Sequence, residues 1–176
     1  IFVAEVASTC NEALLIHDLL DRTEDAAERR YLINYFLDQF KSTMFRQTMF
    51  AEFERDTHAA VQCGETLTSE ALCSAYYELN RRYFGEAIEW ARIPHFYTPF
   101  YVYQYATGFA AAIAISSKIL SGEPGIVENY KRFLSGGSSM DPIDLLKLCG
   151  VDMSSPEPVE RALDVFEEYL EKLAKA

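Results

Sequence analysis

YLINYFLDQFKSTMFRQTMFAEF, residues 31–53, decides the fold class. Tyr31, Phe36, Phe40, Met44, Phe45, Met49 and Phe53 follow one another at helical rather than alternating intervals. The pattern predicts one long helix running to about Ala60 and ended by Gly64. Upstream, the charged turn DRTEDAAER separates it from a first amphipathic helix over residues 1–21. Downstream, Thr68 is a candidate N-cap for a third helix that Gly85 stops after Phe84. Residues 86–99, with Pro94 and Pro99, read as irregular. A fourth helix is expected from near Phe100 to Leu120, where SGEPG breaks it, and a short one over residues 126–134. Asp141-Pro142 and Ser155-Pro156 each read as an N-cap followed by an N1 proline. They open a helix closed by Gly150 and a final helix with the apolar stripe Val159, Ala162, Leu163, Phe166, Leu170 and Leu173. Nothing reads as a strand. The expectation is an all-α single helical region over residues 1–176, without a dividing linker.

Composition narrows the function. The chain of 176 residues carries a formal charge of −11, which counts against nucleic acid and anionic membrane surfaces as partners. The longest apolar run, Phe109–Ile115, is far short of the ~20 residues of a membrane span. Cys10, Cys63, Cys73 and Cys149 form no CxxC pair, so reduced thiols and a cytoplasmic location are expected. A chain that opens at Ile1 in mid-helix is expected to be part of a longer polypeptide.

Two stretches look costly for a pure scaffold. In the first helix, Glu5 and Glu12 are seven residues apart, hence within roughly 20° of each other around the axis. Ser8 lies between them and apolar residues flank the stripe. A buried carboxylate must be paired, hydrogen-bonded or metal-bound, or else protonated. Pairing with an Arg or Lys of another helix is the commoner arrangement. The second stretch, IPHFYTPFYVYQYATG (residues 93–108), gathers His95, Tyr97, Tyr101, Tyr103 and Tyr105 between prolines and Gly108. Phenols can polarise a carbonyl or hold a peptide backbone, and a histidine can donate to a developing oxyanion. An aromatic core with satisfied hydroxyls explains Tyr105 well and the proline-flanked His-x-Tyr less well. HExxH, GxGxxG, P-loop and GxSxG motifs are absent from the sequence. Glu54 and His58 are four apart with no second copy, which does not make a di-iron site. His17 and His58 read as exposed or helix-terminal.

Taken together, FVAEVASTCNE (residues 2–12), FRQTMFAEFE (residues 45–54) and IPHFYTPFYVYQYATG (residues 93–108) resemble oligoendopeptidase F, a thimet-oligopeptidase-like zinc metallopeptidase. The three blocks stand in that family's order. The resemblance implies the C-terminal part of a zincin-like, mostly helical catalytic domain that hydrolyses short peptides in a deep channel. It implies Glu5 as the third zinc ligand beside two histidines of an HExxH helix. It implies Glu12 as an acceptor that orients a ligand histidine. Tyr103 becomes the candidate phenol for the oxyanion, with His95 assisting it. Tyr97 and Tyr101 become candidate contacts to the substrate backbone. The family's general base and two of its zinc ligands lie in the HExxH motif, so this chain alone is expected to be inactive. If the face that meets the HExxH helix is open, Phe2, Val3 and Val6 on the first helix would drive self-association. The alternative is a non-catalytic helical module that binds peptides or a partner; a helical scaffold with no site at all is a third reading.

Overall fold

The computed structural model describes residues 2–85 and 93–175. Every regular element among them is helical: α1 Phe2–Arg22, α2 Ala26–Gln39, a π turn over Phe40–Phe45, α3 Arg46–Gln62 and α4 Ser69–Phe84. A 3-10 turn over Pro94–Tyr97 follows, then α5 Tyr103–Leu120, α6 Ile126–Gly136, α7 Pro142–Lys147 and α8 Glu157–Lys175. The all-α expectation holds. The expected caps form at Thr68 and Asp141, and Asp25 adds one at the start of α2. The Asp25 carboxylate accepts from the Glu28 N–H at 2.8 Å. Thr68 accepts from Ala71 at 3.2 Å, and Asp141 from Ile143 at 3.0 Å. Gly64 takes φ +85° after α3, a conformation open to glycine at no steric cost.

The chain divides into two compact units, Ile1–Lys41 with Thr107–Ala176, and Ser42–Ala106. In the first unit, α1 buries Val6, Cys10, Ala13, Ile16 and Leu20. Val6 and Cys10 join the alanine-rich face of α5 and Tyr130, Phe133, Leu145 and Leu146 in one cluster. Gly108 of α5 faces the Phe2 ring, which a Cβ there would meet at an ordinary 3.6 Å. Burying a side chain such as Phe133, which is 0% exposed, contributes about 1.5–3 kcal/mol. Burial pushes the Cys10 and Cys149 thiols up to about 11, so both stay protonated and inert near neutrality. A second nucleus of this unit is aromatic. Phe36 packs edge-on to Tyr169 at 4.7 Å and Phe40 to Phe109 at 4.8 Å.

The second unit packs Met49, Phe50 and Phe53 of α3 against Tyr76 and Leu79 of α4, with Val102 closing the cluster. Phe96, from the 3-10 turn, stacks its ring within 5.3 Å of Phe50 and 5.2 Å of Phe53. That contact seats the His95–Tyr97 segment on the core of this unit.

Four sequence expectations need correction. The long second helix is α2 and α3 joined by the π turn. Within that turn the five-residue step from Phe40 to Phe45 spans the wider i to i+5 ring of a π helix. The helix expected near Phe100 starts at Tyr103, because Phe100 has φ +55° and cannot enter a right-handed helix. Ser155 does not cap α8; its hydroxyl donates to the Asp152 carbonyl at 3.0 Å. In α8 the buried face is Pro158, Ala162, Val165 and Tyr169, while Leu163 and Leu170 are exposed. This helix carries two apolar rows, and the row bearing Tyr169 turns inward because its ring completes the aromatic nucleus.

His17 is not the exposed histidine the sequence suggested. Its ring packs edge-on to Phe36 and Tyr169, and the Tyr169 hydroxyl lies 3.1 Å from a ring nitrogen. Burial, then the Lys172 charge, lowers its pKa below 6.5, against smaller opposing effects of Asp21 and Glu168. The sign follows from linkage: the unfolded chain binds this proton more tightly than the folded one. The stabilisation is therefore complete above pH 6.5 and declines as pH falls below it. The melting temperature of His17→Phe should fall less than that of the parent chain between pH 7.5 and 5.5, read by thermal denaturation at both values.

Candidate functional site

Glu5 lies in the first turn of α1, half-buried, and belongs to the first unit. The buried face of α1 is the opposite one, which leaves Glu5, Ser8 and Glu12 along the outer side with Leu15 and Leu19. Ser8 donates to the Glu5 backbone carbonyl at 3.2 Å and leaves the carboxylate alone. Among the described residues neither the Glu5 nor the Glu12 carboxylate has an ion-pair or hydrogen-bond partner, so the basic side chain of the structural alternative is not found there. Glu12 is exposed, and Val6 is fully buried, with Phe2 and Val3 packed against the core. The apolar residues that α1 does expose are Leu15 and Leu19.

Could Glu5 serve a metal? A half-buried carboxylate without a cation beside it is a hard-oxygen donor of the type zinc accepts. Among the described residues no group of three His, Cys, Asp or Glu side chains could hold an ion. The Glu5 carboxylate could supply one ligand, and the described residues do not complete a set around it.

The His/Tyr segment belongs to the second unit up to Ala106. Ile93 and Pro94 lead into the 3-10 turn that carries His95 and Tyr97. The His95 ring lies parallel to Tyr101, centroids 5.7 Å apart, and edge-on to Tyr105 at 5.8 Å. The Tyr105 hydroxyl donates to the Tyr101 hydroxyl at 3.0 Å, which leaves Tyr101 its own O–H to donate. The structure thus brings His95, Tyr101 and Tyr105 into one platform. Tyr97 and Tyr103 stand exposed, at 79% and 48%, where their phenols can meet a ligand. Tyr103 opens α5, so Tyr103 and Tyr105 project from different sides of its first turn.

Two residues of this region have a role that the sequence reading does not give them. Glu54 is 4% exposed, and its Oε1 accepts a hydrogen bond from the Phe100 backbone N–H. His58, one turn further along α3, sets its ring against that of Phe100 at 4.7 Å. Its Nδ1 lies 2.7 Å from the Glu54 carbonyl, a bond in which the ring N–H donates. The signal in the sequence is a lone Glu beside Phe53 on an apolar helix face.

Comparison with known proteins agrees with the three sequence blocks. The family model for Peptidase family M3 matches residues 1–165. Oligopeptidase PepF of Bacillus subtilis is 54% identical over 98% of this chain. The plasmid-borne oligoendopeptidase F of Lactococcus lactis is 46% identical over 99% of it. These alignments cover 27% and 30% of those two relatives, so the chain spans less than a third of their length. The crystal structure of oligoendopeptidase-F from Enterococcus faecium superposes with a TM-score of 0.93 at 46% identity, over 99% of this chain and 35% of that one.

Proposed function

The chain belongs to Peptidase family M3, and from that premise we propose that it is part of the catalytic domain of a zinc-dependent oligoendopeptidase that hydrolyses short peptides. The single observation that supports this most is the half-buried carboxylate of Glu5, without a partner among the described residues, at the position the family resemblance gives to the third zinc ligand. Zinc, when bound, would polarise the scissile carbonyl and lower the pKa of a water. The chain's own residues supply the rest of the environment. Glu5 contributes a carboxylate oxygen donor. Glu12, on the same outer side of α1, is the proposed acceptor for a ligand histidine's second N–H. The Tyr103 phenol donates to the oxyanion as the carbonyl carbon becomes tetrahedral, and His95 assists it. Tyr97 and Tyr101 donate to the substrate backbone. A cytoplasmic setting goes with this reading, since all four cysteines are free thiols.

The test uses the pure chain with and without a separately supplied HExxH-bearing segment of the family. The chain alone should leave a short quenched fluorescent peptide intact. Addition of the segment should give zinc-dependent cleavage that a chelator abolishes. Cleavage by the chain alone would overturn the division of labour. Peptide binding without cleavage in the reconstituted mixture would favour the binding-module alternative, which the exposed Tyr97 and Tyr103 also suit.

A further inference from the structure

Phe100 occupies a conformation that its sequence disfavours. Its φ of +55° lies in the left-handed region, where a side chain bearing a Cβ is strained. Pro99 followed by the positive φ of Phe100 makes the pattern of a type II turn, whose third position normally belongs to glycine. Something must hold a phenylalanine there. The residues around it supply two restraints, both from α3. The buried carboxylate of Glu54 accepts from the Phe100 N–H, and the His58 ring covers the Phe100 ring. Glu54 is among the few buried charged or polar side chains of the described residues. An ionised carboxylate out of water requires strong donors, and a backbone N–H aimed at it is one. The same turn separates His95 from Tyr101, whose rings lie parallel with only 4° between their planes. A change in backbone direction at Phe100 would rotate Tyr101 out of that stack.

We infer that Glu54 is a positioning residue: its buried carboxylate holds Phe100 in the left-handed conformation and thereby sets the turn that stacks His95 on Tyr101. The inference about the turn stands on the geometry alone. Only its consequence for catalysis rests on the peptidase reading.

The experiment is nuclear magnetic resonance on the 176-residue chain, observing the Phe100 amide and the His95 ring protons. In Glu54→Ala, Phe100 amide exchange should accelerate about 10- to 100-fold, as expected for a lost hydrogen bond to a charged acceptor. The His95 ring resonances should lose the ring-current shift given by Tyr101. Glu54→Gln keeps an acceptor oxygen in place and should retain both signatures. Phe100→Gly removes the Cβ penalty, so Glu54→Ala combined with Phe100→Gly should recover the His95 shift that Glu54→Ala loses. Unchanged His95 shifts and Phe100 exchange in Glu54→Ala would overturn the inference. Should Glu54→Ala fail to fold, the double variant decides: a folded chain with the stack restored upholds the inference, and a second failure to fold overturns it. In the reconstituted peptidase, Glu54→Ala should lower kcat more than it raises KM, with Glu54→Gln close to the parent. Loss of the spectroscopic signatures with unaltered kinetics would leave the positioning intact and count against the peptidase reading of the platform.

Discussion

Glu5→Ala, in the chain reconstituted with an HExxH segment, should cut zinc affinity and kcat/KM together by more than about 100-fold. Removing a group that merely orients a metal ligand already costs about 10- to 100-fold, and deleting a ligand costs more. The carboxylate is half-buried and has no partner among the described residues, so its removal leaves no cation stranded and should not by itself unfold α1. The melting temperature should therefore stay near that of the parent while the metal is lost. Glu12→Gln is the companion measurement. Glu12 is exposed on the same side of the helix, and as an orienting acceptor it should cost about tenfold. Equal losses for the two variants would remove the distinction between ligand and support. Isothermal titration with zinc and peptide cleavage on the same samples give both readouts.

Tyr103→Phe is expected to lower kcat by about 100- to 1000-fold with KM little changed, the cost of one missing oxyanion donor. The effect would belong in kcat because an oxyanion donor bonds most strongly to the charge that develops in the transition state. Tyr103 is exposed at the start of α5, outside the buried core. Tyr97→Phe should act mainly on KM, as expected of a contact to the substrate backbone. Tyr105→Phe is the control within the platform: its hydroxyl is bonded to Tyr101, so its removal should disturb the platform's geometry and little else. If Tyr103→Phe keeps full activity and Tyr105→Phe does not, the oxyanion assignment is wrong. Steady-state kinetics on one quenched peptide settle the order.

Much of this fold is legible in the sequence because its helix ends are written in cap chemistry. Asp141 and Thr68 announce their helices, and both caps form. Glycine at position 64 announces a stop, and its backbone takes the left-handed conformation only glycine adopts freely. What was not legible depends on tertiary choice. The two apolar rows of α8 are equivalent on a helical wheel, and the position of Phe36, Phe40 and His17 decides which is buried. Likewise the sequence offers a helix from near Phe100, but a left-handed Phe100 held by a carboxylate 46 residues away delays its start to Tyr103. No local propensity encodes that bond. The candidate site divides the same way: its residue types are readable from three short blocks, whereas the stacking of His95 on Tyr101 and the role of Glu54 needed coordinates.

The proposed peptidase depends on Glu5 as a zinc ligand. Diffraction at the zinc absorption edge, from crystals of the chain joined to an HExxH-bearing segment, tests this. One anomalous peak is expected beside the Glu5 carboxylate, absent in crystals of Glu5→Ala. A peak held without Glu5, or one that persists unchanged in Glu5→Ala, would contradict it.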